Sequence, residues 1–242
     1  MVMNCLTSTT HSVSMSKICA YLFISLSALT VLTGCGTGGG GGSESNGSST
    51  GVRVFHAAID AAPVDVSTVG GTEVVSEGNR FGVANPYHQS PKGEQVLTII
   101  RAKTPSSVIT TIPASISSDS KLSILFYGDS SKGLQVRLLN DQFPNSFTGA
   151  LVRVVHGANG AAAVRVAASS NGGGSASANA AFGDATEYLS VPAGVATITS
   201  SRVVDNRAIN SVSIPVEEGK AYTLLLAGEV DYYVKGVLYS DN

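Results

Sequence analysis

The chain has 242 residues, 43% apolar and 13% charged, with 27 glycines and no tryptophan. That composition belongs to a globular protein and excludes a disordered or collagen-like one. A net charge of −2, with no local run of Lys or Arg, excludes nucleic acid as a partner.

The first fourteen residues, "MVMNCLTSTTHSVS", carry no Lys, Arg, Asp or Glu and no periodicity, which makes Met15 an alternative translation start. From Met15 the sequence has the layout of a secretory signal: Lys17, then an apolar stretch too short to span a bilayer, then small residues. Leu32-Thr33-Gly34-Cys35 resembles the bacterial lipobox, in which small residues admit the backbone to a peptidase cleft and the thiol accepts diacylglycerol. The resemblance implies a signal peptide over 1–34, cleaved to leave Cys35 as a lipidated first residue. More than one acyl chain gives a firm membrane anchor. Cleavage removes Cys5 and Cys19 and lipid blocks Cys35, so the expected mature chain has no disulfide and no free thiol. No Asp follows Cys35 until Asp60, which points to the outer membrane of the cell envelope. Gly34, Gly36 and Gly39 match G-x-G-x-x-G, but a signal precedes them and "GGGSESNGSSTG" follows, so no strand and helix frame a pyrophosphate and no cofactor is expected. Residues 35–51 read as the lipidated Cys and a flexible Gly/Ser tether.

From residue 52 the chain repeats itself. "VRVFHAAIDAAPVDV" (52–66) faces "VRVVHGANGAAAVRV" (152–166) at an offset of 100, and Tyr87, Pro91 and Gly93 meet Tyr188, Pro192 and Gly194 at 101. Within each copy the apolar period is two: Val52, Val54 and His56 share one face of a strand while Arg53 and Phe55 take the other. Further strands are expected near 64–66, 94–102, 108–112, 121–128 and 134–140, each bounded by Gly, Pro, Ser or Asp. "LSILFY" and "YTLLLA" are apolar on both faces and read as central strands. "SSNGGGSASANAAFG" (169–183) reads as a long loop. The expected fold is all-β: two tandem β-sandwich modules of Ig-like or Greek-key type, 52–145 and 150–242.

The opening stretch of each copy resembles the domain of unknown function 4397 family, whose pattern is approximately VRVxHASPDAPxVDV. The first copy keeps Arg53, His56, Asp60, Pro63 and Asp65; the second keeps Arg153 and His156 but has Asn159, Ala163 and Arg165. The resemblance implies a β-sandwich and life outside the cytoplasm, and it supplies no catalytic residue.

His56 and Asp60 form an incomplete metal site, and the second copy lacks the acid, so no metal is expected. His56, Asp60, Asp65 and His156 read as structural residues at strand ends and turns. Gly128-Asp129-Ser130 has no matching base-and-orienter pattern, and its counterpart "AGEVDYY" has no serine, so it reads as a hairpin turn. Tyr232, Tyr233 and Tyr239 read as cross-strand pairs, with an aromatic platform for sugar or peptide as the rival reading. The expected function is a non-enzymatic binding or structural lipoprotein held at the membrane by its lipid, with an envelope protein or glycan as partner. The alternatives are an envelope serine hydrolase using Ser130 with His56 or His88, and a carrier of a small apolar ligand between the sheets.

Overall fold

The computed structural model describes residues 51–69, 73–83 and 85–242. The expected signal peptide, Cys35 and the Gly/Ser tether lie outside the described residues. Sixteen strands and no α-helix are found among the residues described.

The first copy holds β1 (Gly51–His56), β2 (Val64–Thr68), β3 (Val74–Asn79), β4 (Gly93–Arg101), β5 (Val108–Ile116), β6 (Lys121–Asp129) and β7 (Gly133–Asn140). They form two sheets, β1-β6-β7 and β3-β2-β4-β5. The second copy repeats the plan with β8 (Ala150–Asn159), β9 (Ala163–Ser170), β10 (Ser175–Ala181), β13 (Gly194–Arg202), β14 (Ala208–Val216), β15 (Ala221–Glu229) and β16 (Tyr233–Ser240). Two short strands, β11 (Asp184–Ala185) and β12 (Leu189–Val191), both pair with β8, giving sheets β11-β8-β15-β16 and β10-β9-β13-β14. The 100-residue offset holds at the level of register, with Arg53 opposite Ser123 and Arg153 opposite Thr223.

β1 pairs with β6, and β8 with β15, in parallel. Parallel strands are normally buried on both faces, and these four explain the two-sided apolar runs. On one face Val52, Val54, Ile124 and Phe126 join Val64, Val66, Leu97 and Ile99 of the facing sheet in the core of the first sandwich. Val152, Val154, Leu224 and Leu226 do the same with Val164, Val166 and Ile198 in the second. On the other face Phe55, Leu125 and Tyr127 of the first copy meet Val155, Leu225, Val237 and Tyr239 of the second in a third cluster. The expectation of central strands therefore holds for a reason beyond the sandwich: their second face is buried against the other copy.

The run 169–183 is not a loop throughout. Gly173 and Gly174, both at positive φ, make a turn, and β10 then returns along β9 with Ala178 and Ala180 facing the core. The period of two is present here, but it is written in Ala, Ser and Asn, whose contrast is too slight to read as inward and outward positions.

Candidate functional site

Each copy carries one arginine in its opening strand, and alternation sends that side chain away from its own sandwich core. Arg53 Nε donates to Ser123 Oγ on the neighbouring strand at 2.9 Å, which steers the guanidinium toward the second copy. There Nη2 donates to Asp241 Oδ1 at 2.6 Å and Nη1 to the Ser240 carbonyl at 3.3 Å. Arg153 does the reciprocal: Nε donates to Thr223 Oγ1 at 2.9 Å, Nη1 to the Asn140 carbonyl at 2.9 Å, and Nη2 to Asp141 Oδ1 of the first copy. Each aspartate is held by its own copy as well. Asp141 accepts from Ser123 Oγ and, at 2.8 Å, from the Tyr87 hydroxyl; Asp241 accepts from Thr223 Oγ1 at 2.7 Å and the Tyr188 hydroxyl at 2.8 Å. The result is a pseudo-twofold lattice in which each arginine reaches the last aspartate of the other copy.

All four charges are buried, two positive against two negative. Burial alone opposes the charge on Arg53, but Asp241 and Asp141 more than offset it, and its pKa stands raised. Arg153 is raised in the same way, chiefly by Asp141. Burial, reinforced by Asp141 at Tyr87 and by Asp241 at Tyr188, pushes both phenols up and keeps them protonated donors. The Arg53 guanidinium also lies 4.3 Å from the Tyr87 ring centroid and 4.6 Å from that of Phe55. Every one of these groups is committed to another, so the cluster is a lock between the copies.

His56 ends β1, His156 lies three residues before the end of β8, and both face inward. Each ring sets Nε2 against a carbonyl, Ala62 at 3.1 Å and Ala161 at 2.9 Å, so Nε2 carries the proton. Nδ1 of both rings is buried and has no partner among the described residues. Burial pushes both imidazoles below their ordinary pKa and keeps them neutral. Asp60 accepts from Ser130 N at 3.0 Å and from the Ser130 hydroxyl, tying its loop to the β6–β7 turn 70 residues away. Neither His56 nor His88 shares a hydrogen bond with Ser130 among the described residues. Asp65 accepts from Gly78 N at 2.6 Å and Lys103 N at 3.1 Å. Lys235 Nζ donates to the Gly82 carbonyl at 2.8 Å and Tyr239 to that of Val83 at 3.0 Å, further bonds between the copies. Cys35 lies outside the described residues.

Sequence reasoning did not find Asp141, Asp241, Ser123 or Thr223 as functional positions. The signal was available: Ser123 and Thr223, and Asp141 and Asp241, stand 100 residues apart, as the two arginines do. Both aspartates follow the last strand of their copy, in stretches that read as linker or tail.

The loop end of the second copy is different in kind. Tyr239 is buried against Phe55, with ring centroids 4.4 Å apart, so it is neither a surface pair nor a platform. Tyr232 and Tyr233, at the β15–β16 turn, are 90% and 53% exposed, and Val204 on the β13–β14 turn is 81% exposed. Arg207 Nη1 donates to Asp231 Oδ1 at 2.6 Å and joins the two turns, while Val230 N donates to the Asn159 carbonyl at 2.8 Å and joins the third. A cavity of ≈ 380 Å³ lies between the β8–β9 turn and the end of β13, lined by Ala161, Ala162, Ala163, Arg202, Val203 and Val204.

The family model for the Domain of unknown function (DUF4397) matches residues 50–167 and 150–242. No curated protein matches the chain. Among solved structures the chain is similar to CBMbc, of family CBM26, from Eubacterium rectale Amy13K, solved in complex with maltoheptaose. The identity is 11%, the TM-score 0.27, and the alignment covers 78% of this chain and 95% of that one.

Proposed function

The chain belongs to the DUF4397 family of domains of unknown function, so its activity has to be read from its surface. We propose that it is a non-enzymatic binding protein of the bacterial envelope, held at the outer membrane by lipid on Cys35. Its two copies act as one rigid body, and the loop end of the second contacts a neutral polysaccharide.

The observation that carries this reading is the exposure of Tyr232 and Tyr233 beside Val204. Large apolar side chains clustered on one turn region mark an interaction surface. An aromatic face accepts the C–H face of a sugar ring, while the phenol and its neighbours bond hydroxyls. The charged groups here, Arg202, Arg207, Asp205 and Asp231, balance one another and form ion pairs. Such a patch suits an uncharged, polyhydroxylated partner better than an acidic or basic one. The serine-hydrolase alternative finds no support in the pairing of Ser130 with Asp60. The carrier alternative finds none in the apolar side chains that fill both sandwiches.

The test is affinity electrophoresis of the full chain in gels carrying neutral polysaccharides. Retardation is expected, and the double change Tyr232→Ala, Tyr233→Ala should weaken it about tenfold or more. Retardation equal in that variant overturns the reading. Anchoring is tested separately: labelled palmitate should enter the wild type and leave Cys35→Ala unlabelled.

A further inference from the structure

The first copy carries a second surface with no equivalent in the other. A trough of ≈ 390 Å³ lies over the outer face of β3-β2-β4, lined by Asp65, Val74, Glu77, Ile100, Lys103 and Pro105 among others. That volume is within the range of small-molecule sites.

One carboxylate builds it. Asp65 bonds Gly78 N with one oxygen and Lys103 N with the other, fastening strand β3 and the turn after β4 to the strand between them. Gly78 and Lys103 both have left-handed backbone, φ 62° and 61°. Glycine adopts this freely, but the Cβ of Lys103 is crowded there, so the Asp65 bond holds a residue in a conformation it disfavours. With Asp65 committed to the backbone, two charged groups of the trough remain: the Glu77 carboxylate and the Lys103 ammonium. Neither side chain has a hydrogen-bond or ionic partner among the described residues, and they do not pair with each other. A free acid and a free base thus flank an apolar floor of Val74, Ile100, Ala102 and Pro105.

We infer that the trough binds a small zwitterion with an apolar tail, the class of free α-amino acids such as leucine. The ligand's ammonium meets Glu77, its carboxylate meets Lys103, and its side chain covers Val74 and Ile100. The second copy is an internal control. Arg165 stands where Asp65 would be and donates to Asn206 at 3.0 Å, and Val204 replaces Lys103, since Ala102 N and Val203 N bond the equivalent carbonyls of Pro63 and Ala163. Both the clamp and the cation are gone from it.

The experiment is titration of the full chain with L-leucine, isoamylamine and 4-methylpentanoate, followed by ligand-observed NMR. Leucine should saturate in the millimolar range or below and bind more tightly than either half-ligand. Glu77→Gln should weaken leucine and isoamylamine about tenfold and leave 4-methylpentanoate unchanged; Lys103→Gln should do the reverse. Both side chains are exposed, so unchanged thermal midpoints are expected to accompany these losses. Asp65→Asn, which loosens both walls, should weaken all three ligands. The Tyr232→Ala, Tyr233→Ala variant should bind leucine as wild type does, which separates this site from the polysaccharide surface. Absence of saturation by leucine, or leucine binding indifferent to both charge changes, overturns the proposal.

Discussion

The two copies share a frame and differ at their tips. Strand order, parallel β1–β6 and β8–β15 pairing, the arginine, its hydroxyl relay, the tyrosine and the final aspartate all recur. At the tips, Asp60 and Ser130 of the first copy have become Gly160 and Val230, Asp65 has become Arg165, and Lys132 has become Tyr232. The difference teaches where each copy was free to change. Residues that build the mutual interface are constrained by a partner 100 positions away, whereas tip residues answer only to solvent and ligand. Two linked copies of this kind are less two weak sites on a flexible string than one body with two unlike ends.

The lock itself is unequal, and that gives the largest expected effect. Asp141 contacts both Arg153 and Arg53, the latter at 3.3 Å, while Asp241 forms an ion pair with Arg53 alone. Removing one partner of a buried pair leaves an uncompensated charge and costs about 3–5 kcal/mol. Asp141→Ala should therefore destabilise the chain by about that amount and by more than Asp241→Ala, as read by urea unfolding. Equal losses would show that the two halves of the lattice are energetically alike despite their contacts. Replacing Arg53 and Asp241 together by apolar residues should cost less than the sum of the single changes, because no buried charge is then left alone.

Close approach of the copies gives the next effect. A Cβ on Gly157 would overlap the Ala57 methyl and press on the Leu226 carbonyl. These two positions correspond in the repeat, and there is room for one methyl group between them. Gly157→Ala should cost about 1–3 kcal/mol by overpacking. Adding Ala57→Gly should recover part of that loss, and a double variant no better than Gly157→Ala would mean that the strain lies elsewhere, against the Leu226 carbonyl.

Much of this architecture was legible in period-two patterning, because a residue's inward or outward face depends on its immediate neighbours. Val52, Val54 and His56 pointed one way and Arg53 and Phe55 the other, as expected. What Arg53 points at was not legible, since Ser123 and Asp241 are 70 and 188 residues away and their identity rests on a tertiary arrangement that local pattern does not encode. β10 was missed for a different reason: a strand of small residues gains its stability from hydrogen bonds to β9 and from the neighbours its side chains leave room for. Of the candidate surface, Tyr232 and Tyr233 were visible in sequence, but only the burial of Tyr239 separates them from it.

The histidines test what the copies have in common. Burial holds His56 and His156 below the ordinary imidazole value of 6.5, and half-buried His88 shifts the same way. Above that value the rings are neutral folded or unfolded. As pH falls through it, the unfolded chain takes up protons that the folded chain refuses, so stability falls with pH. Thermal midpoints should decline from pH 8 to pH 5, and His56→Gln with His156→Gln should flatten that slope whatever it does to the midpoint itself. A slope unchanged in the double variant would shift the burden to other groups.

The smallest expected effect lies at the tip that sets the second copy apart. Arg207 and Asp231 are about half exposed, and a pair in such a position contributes about 0.2–1 kcal/mol, less in salt. Arg207→Ala should leave unfolding nearly unchanged. Yet the pair joins the β13–β14 turn bearing Val204 to the β15–β16 turn bearing Tyr232, and the first copy has Ser107 and Ser131 in their places. Loss of the link frees two turns whose separation defines the exposed apolar surface, so polysaccharide retardation should weaken where stability does not. An Arg207→Ala chain that unfolds as wild type and is retarded as wild type would mean that the tyrosines act without a fixed neighbour.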